Sequence, residues 1–168
     1  MKISSTKIRN ALKIGDAKEA KKYLGDFFQL KGKVVLGDQI GTKIDFPTAN
    51  VQVSEDYKLI PCQGVYAVRV IIGKKEYSAM CNIGVRPTIN DFGEKRIEVN
   101  IFDFKGDLYG QELCLKFIQK VRDEKTFANL EELKQQLARV KSAFAQRVSW
   151  WNTKFEIPKP KIKLSLIA

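Results

Sequence analysis

Gly64-Val65-Tyr66-Ala67-Val68-Arg69-Val70-Ile71-Ile72, then Gly73-Lys74-Lys75, then Glu76-Tyr77-Ser78-Ala79-Met80-Cys81-Asn82-Ile83: two strand-like runs flank a short turn. This spacing predicts an antiparallel hairpin. Upstream, 28–36 reads as another strand; downstream, 96–104 and 112–121 do the same, separated by the turn-like Lys105-Gly106-Asp107. Several short strands with turns between them predict a mainly β fold, an antiparallel barrel.

Helical signals lie on both sides of this β region. Ser4 or Ser5 can cap a short helix carrying Ile8, Ala11 and Leu12, and Gly15 can stop it. Asp16 can cap a second, with Ala17, Ala20 and Leu24 on one face and Gly25 at its end. After the last strand the apolar period changes: Leu130, Leu133, Leu137, Val140, Phe144 and Val148 recur at steps of three and four, which predicts a long C-terminal helix. Asn129 with Glu132 has capping-box spacing, and Pro158-Lys159-Pro160-Lys161 breaks the helical pattern. The expected organisation is a helical lead-in over 1–26, a barrel plus helix over 27–148 and a basic tail over 149–168.

Composition narrows the chemistry. The chain has 168 residues, 44% hydrophobic, enough for one domain with its own core. No run has the length of a membrane span, and the start has no apolar stretch resembling a secretory signal. Cys62, Cys81 and Cys114 form no CxxC pair, so zinc and disulfide readings are poor and a reducing cytoplasm is expected. Histidine is absent, which excludes Ser-His-Asp and Cys-His catalysis and any His-ligated metal. A general base must then be a carboxylate, a lysine or a water. The net charge of +11 sits at the ends: residues 1–33 hold nine Lys/Arg against three Asp/Glu, and 134–168 hold eight against one. The centre is nearly balanced, which argues against a nucleic-acid-binding barrel.

Three phrases carry candidate chemistry. Phe46-Pro47-Thr48-Ala49-Asn50 follows the glycine-containing loop Gly37-Asp38-Gln39-Ile40-Gly41-Thr42. In an extended segment Thr48 and Asn50 point to one face, and two neutral oxygen ligands suit a magnesium ion already carrying nucleotide phosphates. The loop is not a Walker A motif: three residues, not four, separate Gly37 from Gly41, and Thr42-Lys43 run into Pro47 rather than a helix. Glu98 shares a strand face with Asn100, opposite Ile97, Val99 and Ile101, and could take a proton from a hydroxyl. Arg122 could grip a phosphate or position an aromatic ligand. Each has a plainer reading as well: a hairpin loop, a solvent-facing pair, and a salt bridge to Asp123.

Together with Gly64-Val65-Tyr66, Asn82-Ile83-Gly84-Val85-Arg86-Pro87-Thr88, Asp107-Leu108-Tyr109-Gly110 and the stretch from Arg122 to Phe127, these phrases resemble the riboflavin kinase family, specifically the C-terminal kinase module of the bacterial bifunctional riboflavin kinase/FAD synthetase. The resemblance covers roughly 27–145. It implies a six-stranded antiparallel Greek-key-type barrel with a C-terminal helix, and transfer of the ATP γ-phosphoryl group to the 5′-hydroxyl of riboflavin, giving FMN and ADP. It implies Glu98 as catalytic base and Thr48 and Asn50 as magnesium ligands. Gly37, Asp38, Gln39, Gly41, Thr42 and Pro47 would join them around ATP. Asn82, Gly84, Arg86, Pro87, Thr88, Tyr109, Arg122 and Phe127 would border the flavin. The family pattern has glycine where Asp45 stands and arginine where Thr42 stands, so ATP binding weaker than usual is expected.

Ile3-Ser4-Ser5-Thr6-Lys7-Ile8-Arg9 looks like the last motif of the preceding adenylyltransferase module, whose histidine-containing signature is absent. FAD synthesis is therefore not expected from this chain alone. An excised fragment and a natural kinase-only protein both stand as readings. The expected partners are small-molecule substrates and an adenylyltransferase, as a separate partner or a missing N-terminal domain, with no membrane contact. The alternatives are a non-catalytic flavin- or nucleotide-binding module and, behind it, a nucleic-acid-binding barrel.

Overall fold

The computed structural model describes residues 4–36, 48–55, 57–86 and 94–124, and Glu131, Glu132, Gln135, Ala138, Arg139 and Ser142. Two helices lead the chain, α1 (Ser5–Ile14) and α2 (Ala17–Leu24). Their ends follow the local signals. Ser4 Oγ accepts from the Lys7 N–H, Asp16 Oδ1 accepts from the Glu19 N–H at 2.9 Å, and Gly15 and Gly25 close the helices in the left-handed region at φ 82° and 77°.

Six strands follow: β1 (Phe28–Val35), β2 (Ala49–Val53), β3 (Gly64–Ile72), β4 (Lys75–Arg86), β5 (Glu94–Ile101) and β6 (Glu112–Arg122). They close into an antiparallel barrel in the order β1-β2-β5-β4-β3-β6. Strands β3, β4 and β5 run as a meander, and β6 returns to lie beside β3. That 6-3-4-5 arrangement is a Greek key. The 64–83 hairpin pairs Val70 with Tyr77 and Gly64 with Ile83.

Pleating decides the core. Phe28, Leu30 and Val34 of β1 alternate with half-buried or exposed Gln29, Lys31 and Lys33. Across the barrel, Tyr66, Val68 and Val70 meet Cys81 and Ala79 on one side and Leu115 and Phe117 on the other, all essentially water-free. Tyr66 and Phe117 pack edge to face with ring centroids 5.3 Å apart. The buried Tyr66 hydroxyl donates to the Cys62 carbonyl at 2.8 Å, so it is not left unpaired. The helices lie against this end: the Cys62 N–H donates to the Leu12 carbonyl at 3.1 Å.

Some boundaries differ from the sequence expectation. β2 is a strand of its own, paired with β1 on one edge and β5 on the other. β5 ends at Ile101 rather than 104, because Asp103 turns the chain at φ 58° after the Phe102 N–H has bonded the Ser78 carbonyl. The expected C-terminal helix lies mostly outside the described residues; Glu131, Glu132, Gln135, Ala138, Arg139 and Ser142 carry helical backbone. The basic tail, 149–168, lies outside them altogether. Cys62, Cys81 and Cys114 are free thiols. Among the described residues no helix is long and apolar enough to cross a membrane.

Leu115 is fully buried between Leu30 and Val70, whereas Tyr57 is 84% exposed. Leu115→Ala is expected to cost about 2–5 kcal/mol of stability by urea denaturation, and Tyr57→Ala less than about 0.5 kcal/mol.

Candidate active site

Cross-strand register assembles the site. On the outer face, Asn50 of β2 lies across from Glu98 of β5, Glu98 across from Asn82 of β4, Asn82 across from Val65 of β3, and Val65 across from Arg122 of β6. Residues directly opposite in antiparallel strands share a face, so four residues expected to be functional stand in one transverse row. Arg122 enters the row through two bulges. Register shifts between Val65 and Tyr66 and between Ala67 and Val68 each insert an extra residue on β6. Without them Lys120 would face Val65. Lys120 instead faces Tyr66, and its Nζ reaches Asp123 Oδ1 at 2.6 Å and Cys62 Sγ at 3.3 Å.

One step along the strands, Gly84 lies across from Arg96. A Cβ on Gly84 would stand 2.5 Å from Glu124 Oε1, so glycine here lets the segment after β6 close over β4. Burial lowers the pKa of Arg122 and the Glu124 carboxylate partly restores it, leaving the guanidinium charged. Arg122 Nη1 donates to the Asp123 carbonyl at 2.9 Å.

At the Asn50 end of the row a cleft of about 410 Å³ opens between the end of β1, the start of β2 and the 102–109 loop. Thr48, Asn50, Asp107 and Tyr109 supply polar groups, and Leu36 and Phe104 supply apolar walls. Tyr109 and Leu36 stand exposed at the mouth of this cleft, at 60% and 71%. The Tyr109 turn is firmly held. Asp107 Oδ1 accepts its N–H at 2.8 Å, Gln111 Nε2 bonds the Asp107 carbonyl at 2.9 Å, and the Gly110 N–H bonds the Val34 carbonyl at 2.9 Å. Tyr109 thus stands with Thr48 and Asn50, at the opposite end of the row from Arg122.

Asn50 and Asn100 are the buried polar side chains among the described residues. Asn50 Oδ1 accepts from Arg96 Nε at 3.0 Å, and the same nitrogen lies 3.1 Å from Glu98 Oε1. Arg96 was not singled out from sequence. Its signal was there, because a residue two before Glu98 on a strand must share its face. Gly37, Asp38, Gln39, Gly41, Thr42, Asp45, Pro47, Pro87, Thr88 and Phe127 lie outside the described residues; Arg86 ends β4, its backbone paired with Glu94.

The donor set can be tested against a metal. Thr48 and Asn50 offer neutral, hard oxygens, and the described residues contain no group of three or more His, Cys, Asp or Glu able to cage an ion. That chemistry fits magnesium arriving with phosphates rather than a site built of protein carboxylates.

The flavokinase family model, described as riboflavin kinase, matches residues 24–147. The chain belongs to the riboflavin kinase family. Bifunctional riboflavin kinase/FMN adenylyltransferases from Pseudomonas fluorescens and Bacillus subtilis are 42% and 41% identical to it over 134 and 145 residues, covering 80% and 83% of this chain and 42% and 45% of theirs. The chain therefore spans less than half the length of these relatives. A crystal structure of a macrolide-efflux protein from Streptococcus pneumoniae superposes with a TM-score of 0.81 at 40% identity, over 86% of this chain and 47% of that one. Riboflavin kinase from Trypanosoma brucei shares the fold, with a TM-score of 0.52 at 21% identity over 82% of this chain and 94% of its own. The riboflavin kinase match takes in the whole barrel, the Asn50–Arg122 row and the cleft, and leaves α1 and all of α2 but its last residue ahead of it.

Asp107→Ala removes the acceptor of the Tyr109 N–H. Exchange of that amide is expected to quicken by roughly fivefold, the worth of one ordinary hydrogen bond, while amides in the centre of β3 stay protected. Amide exchange followed by NMR checks it.

Proposed function

We propose that this chain transfers the γ-phosphoryl group of ATP to the 5′-hydroxyl of riboflavin, giving FMN and ADP. The observation that carries the reading is the transverse row. Glu98 is its one carboxylate, with Asn50 and the cleft on one side and Asn82 and Arg122 on the other. A phosphate donor in the cleft and a flavin along the row would meet at Glu98. Three strand spacings, roughly 14 Å, separate Glu98 from Arg122. A fused ring with a five-carbon arm spans that distance, so Arg122 suits the ring and Glu98 the terminal hydroxyl.

In this reading Glu98 takes the hydroxyl proton as the oxygen attacks phosphorus. Asn50 and Thr48 would hold magnesium, which when bound neutralises phosphate charge. Leu36 and Tyr109 would grip the adenine, placing Tyr109 with the nucleotide rather than with the flavin. Asn82 and Arg122 would orient the flavin, with Gly84 leaving space for the Glu124 side chain beside them. Little covalent work is asked of the protein, because phosphoryl transfer depends on alignment and charge neutralisation. An adenylyltransferase that consumes FMN, the second activity in the relatives' name, is the partner proposed for the product. The free thiols suit a reducing cytoplasm, where we place the reaction.

Purified chain, riboflavin, ATP and magnesium are expected to yield FMN on chromatography. Glu98→Gln should lower the rate by roughly 10²-fold or more and leave quenching of flavin fluorescence on binding intact; a near-normal rate would remove Glu98 as base. Asn50→Ala should raise the magnesium concentration needed for ATP binding, and an unchanged magnesium dependence would remove it as a ligand. Flavin binding without any FMN from the unaltered chain would favour a non-catalytic module.

A further inference from the structure

Arg96 holds the two residues on which the proposed chemistry turns. Its Nε lies 3.0 Å from Asn50 Oδ1 and 3.1 Å from Glu98 Oε1. A single N–H shared between two acceptors satisfies neither fully. Both oxygens are also needed elsewhere: Asn50 Oδ1 by a cation that arrives with phosphates, and Glu98 Oε1 by the substrate hydroxyl. The Arg96 and Glu98 side chains are 27% and 33% exposed, so this ion pair contributes little to stability. Its effect is local, on where the two oxygens sit and what they face.

We propose that Arg96 is a positioning residue whose charge bears on metal binding at Asn50. It keeps Asn50 and Glu98 at working spacing and competes with the incoming divalent ion for Asn50 Oδ1. The inference rests on the kinase reading above. Its physical basis is that a guanidinium and a divalent ion sharing the two lone pairs of one amide oxygen stand close enough to repel, so each weakens the other's hold on it. The surroundings give Arg96 an alternative position. Gly84, directly across on β4, presents no side chain, and the Glu124 carboxylate fills the space above it. A guanidinium leaving Asn50 therefore keeps negative charge about one strand spacing away. One side chain then has two arrangements open to it, on Asn50 or toward Glu124, and a metal ion that binds better with the second shifts the balance to it.

The test is binding rather than turnover. Free Mn²⁺ is measured by electron paramagnetic resonance while the full chain is titrated in the presence of ADP. Arg96→Met is expected to bind Mn²⁺ with ADP roughly tenfold more tightly than the unaltered chain, the size of one charge-assisted hydrogen bond no longer competed away. Arg96→Lys, which keeps the charge, should stay near the unaltered value. Arg96→Gln carries the comparison if the methionine variant does not fold by circular dichroism. A neutral variant that binds Mn²⁺ equally or less tightly overturns the proposal and leaves the kinase reading standing, provided the unaltered chain forms FMN. If the unaltered chain neither binds Mn²⁺ with ADP nor forms FMN, the kinase reading fails and the inference falls with it.

Discussion

Closure of the barrel is the constraint on which everything else depends. β1 pairs with β2 on one edge and β6 on the other, so no strand edge is left open within the six-strand ring. A closed ring has one inside, and each strand must commit alternate residues to it. Leu30, Val51, Val99, Cys81, Val68 and Leu115 fill that inside from all six strands. The polar residues between them have only the outer face left. Glu98 stands outside because Ile97 and Val99 stand inside, and Asn50 and Asn82 follow from the pairing.

A rigid sheet is a good place to hold a proton acceptor and a ligand oxygen at fixed spacing. The site joins that rigid part to a second, loop-built part. The 102–109 segment leaves β5 at the left-handed Asp103, and Asp107 fixes the turn that carries Tyr109 over the mouth of the barrel. In the proposed reaction the row would supply alignment and the cleft volume, and Asn50 belongs to both. Row and cleft meet at this residue, and it is the one whose side-chain oxygen Arg96 holds.

The opposite end is closed differently. α1 and α2 meet at Gly15, where an added Cβ would stand 2.6 Å from Lys120 Cδ and 2.9 Å from Cys62 Sγ. The helical corner is pressed against β6 and the segment before β3, and only a glycine at φ 82° allows it. Burial raises the Tyr66 pKa, helped by its contact with Cys62, so its hydroxyl remains a proton donor to the Cys62 carbonyl. The lead-in helices thus form part of the folded body.

Local chemistry was legible in the chain itself. Ser4, Gly15, Asp16 and Gly25 mark helix ends by hydrogen-bonding and φ preferences that act within a few residues. Alternation in 28–35 and 97–101 states which side chains face inward, and the absence of histidine narrows the base to a carboxylate, a lysine or a water before any contact is known. What alternation cannot state is which strands are neighbours, or where register slips. β2, five residues long and without a clear repeat, is defined by its partners on both edges. The two bulges in β6 put Arg122 rather than Lys120 across from Val65, and no period-two pattern encodes them. Arg96 lay in plain view beside Glu98, yet its hold on Asn50 joins residues 46 positions apart. Faces, caps and available chemistry were written into the chain, because those depend on near neighbours; which faces meet was not, because only closure of the barrel brings distant strands into register.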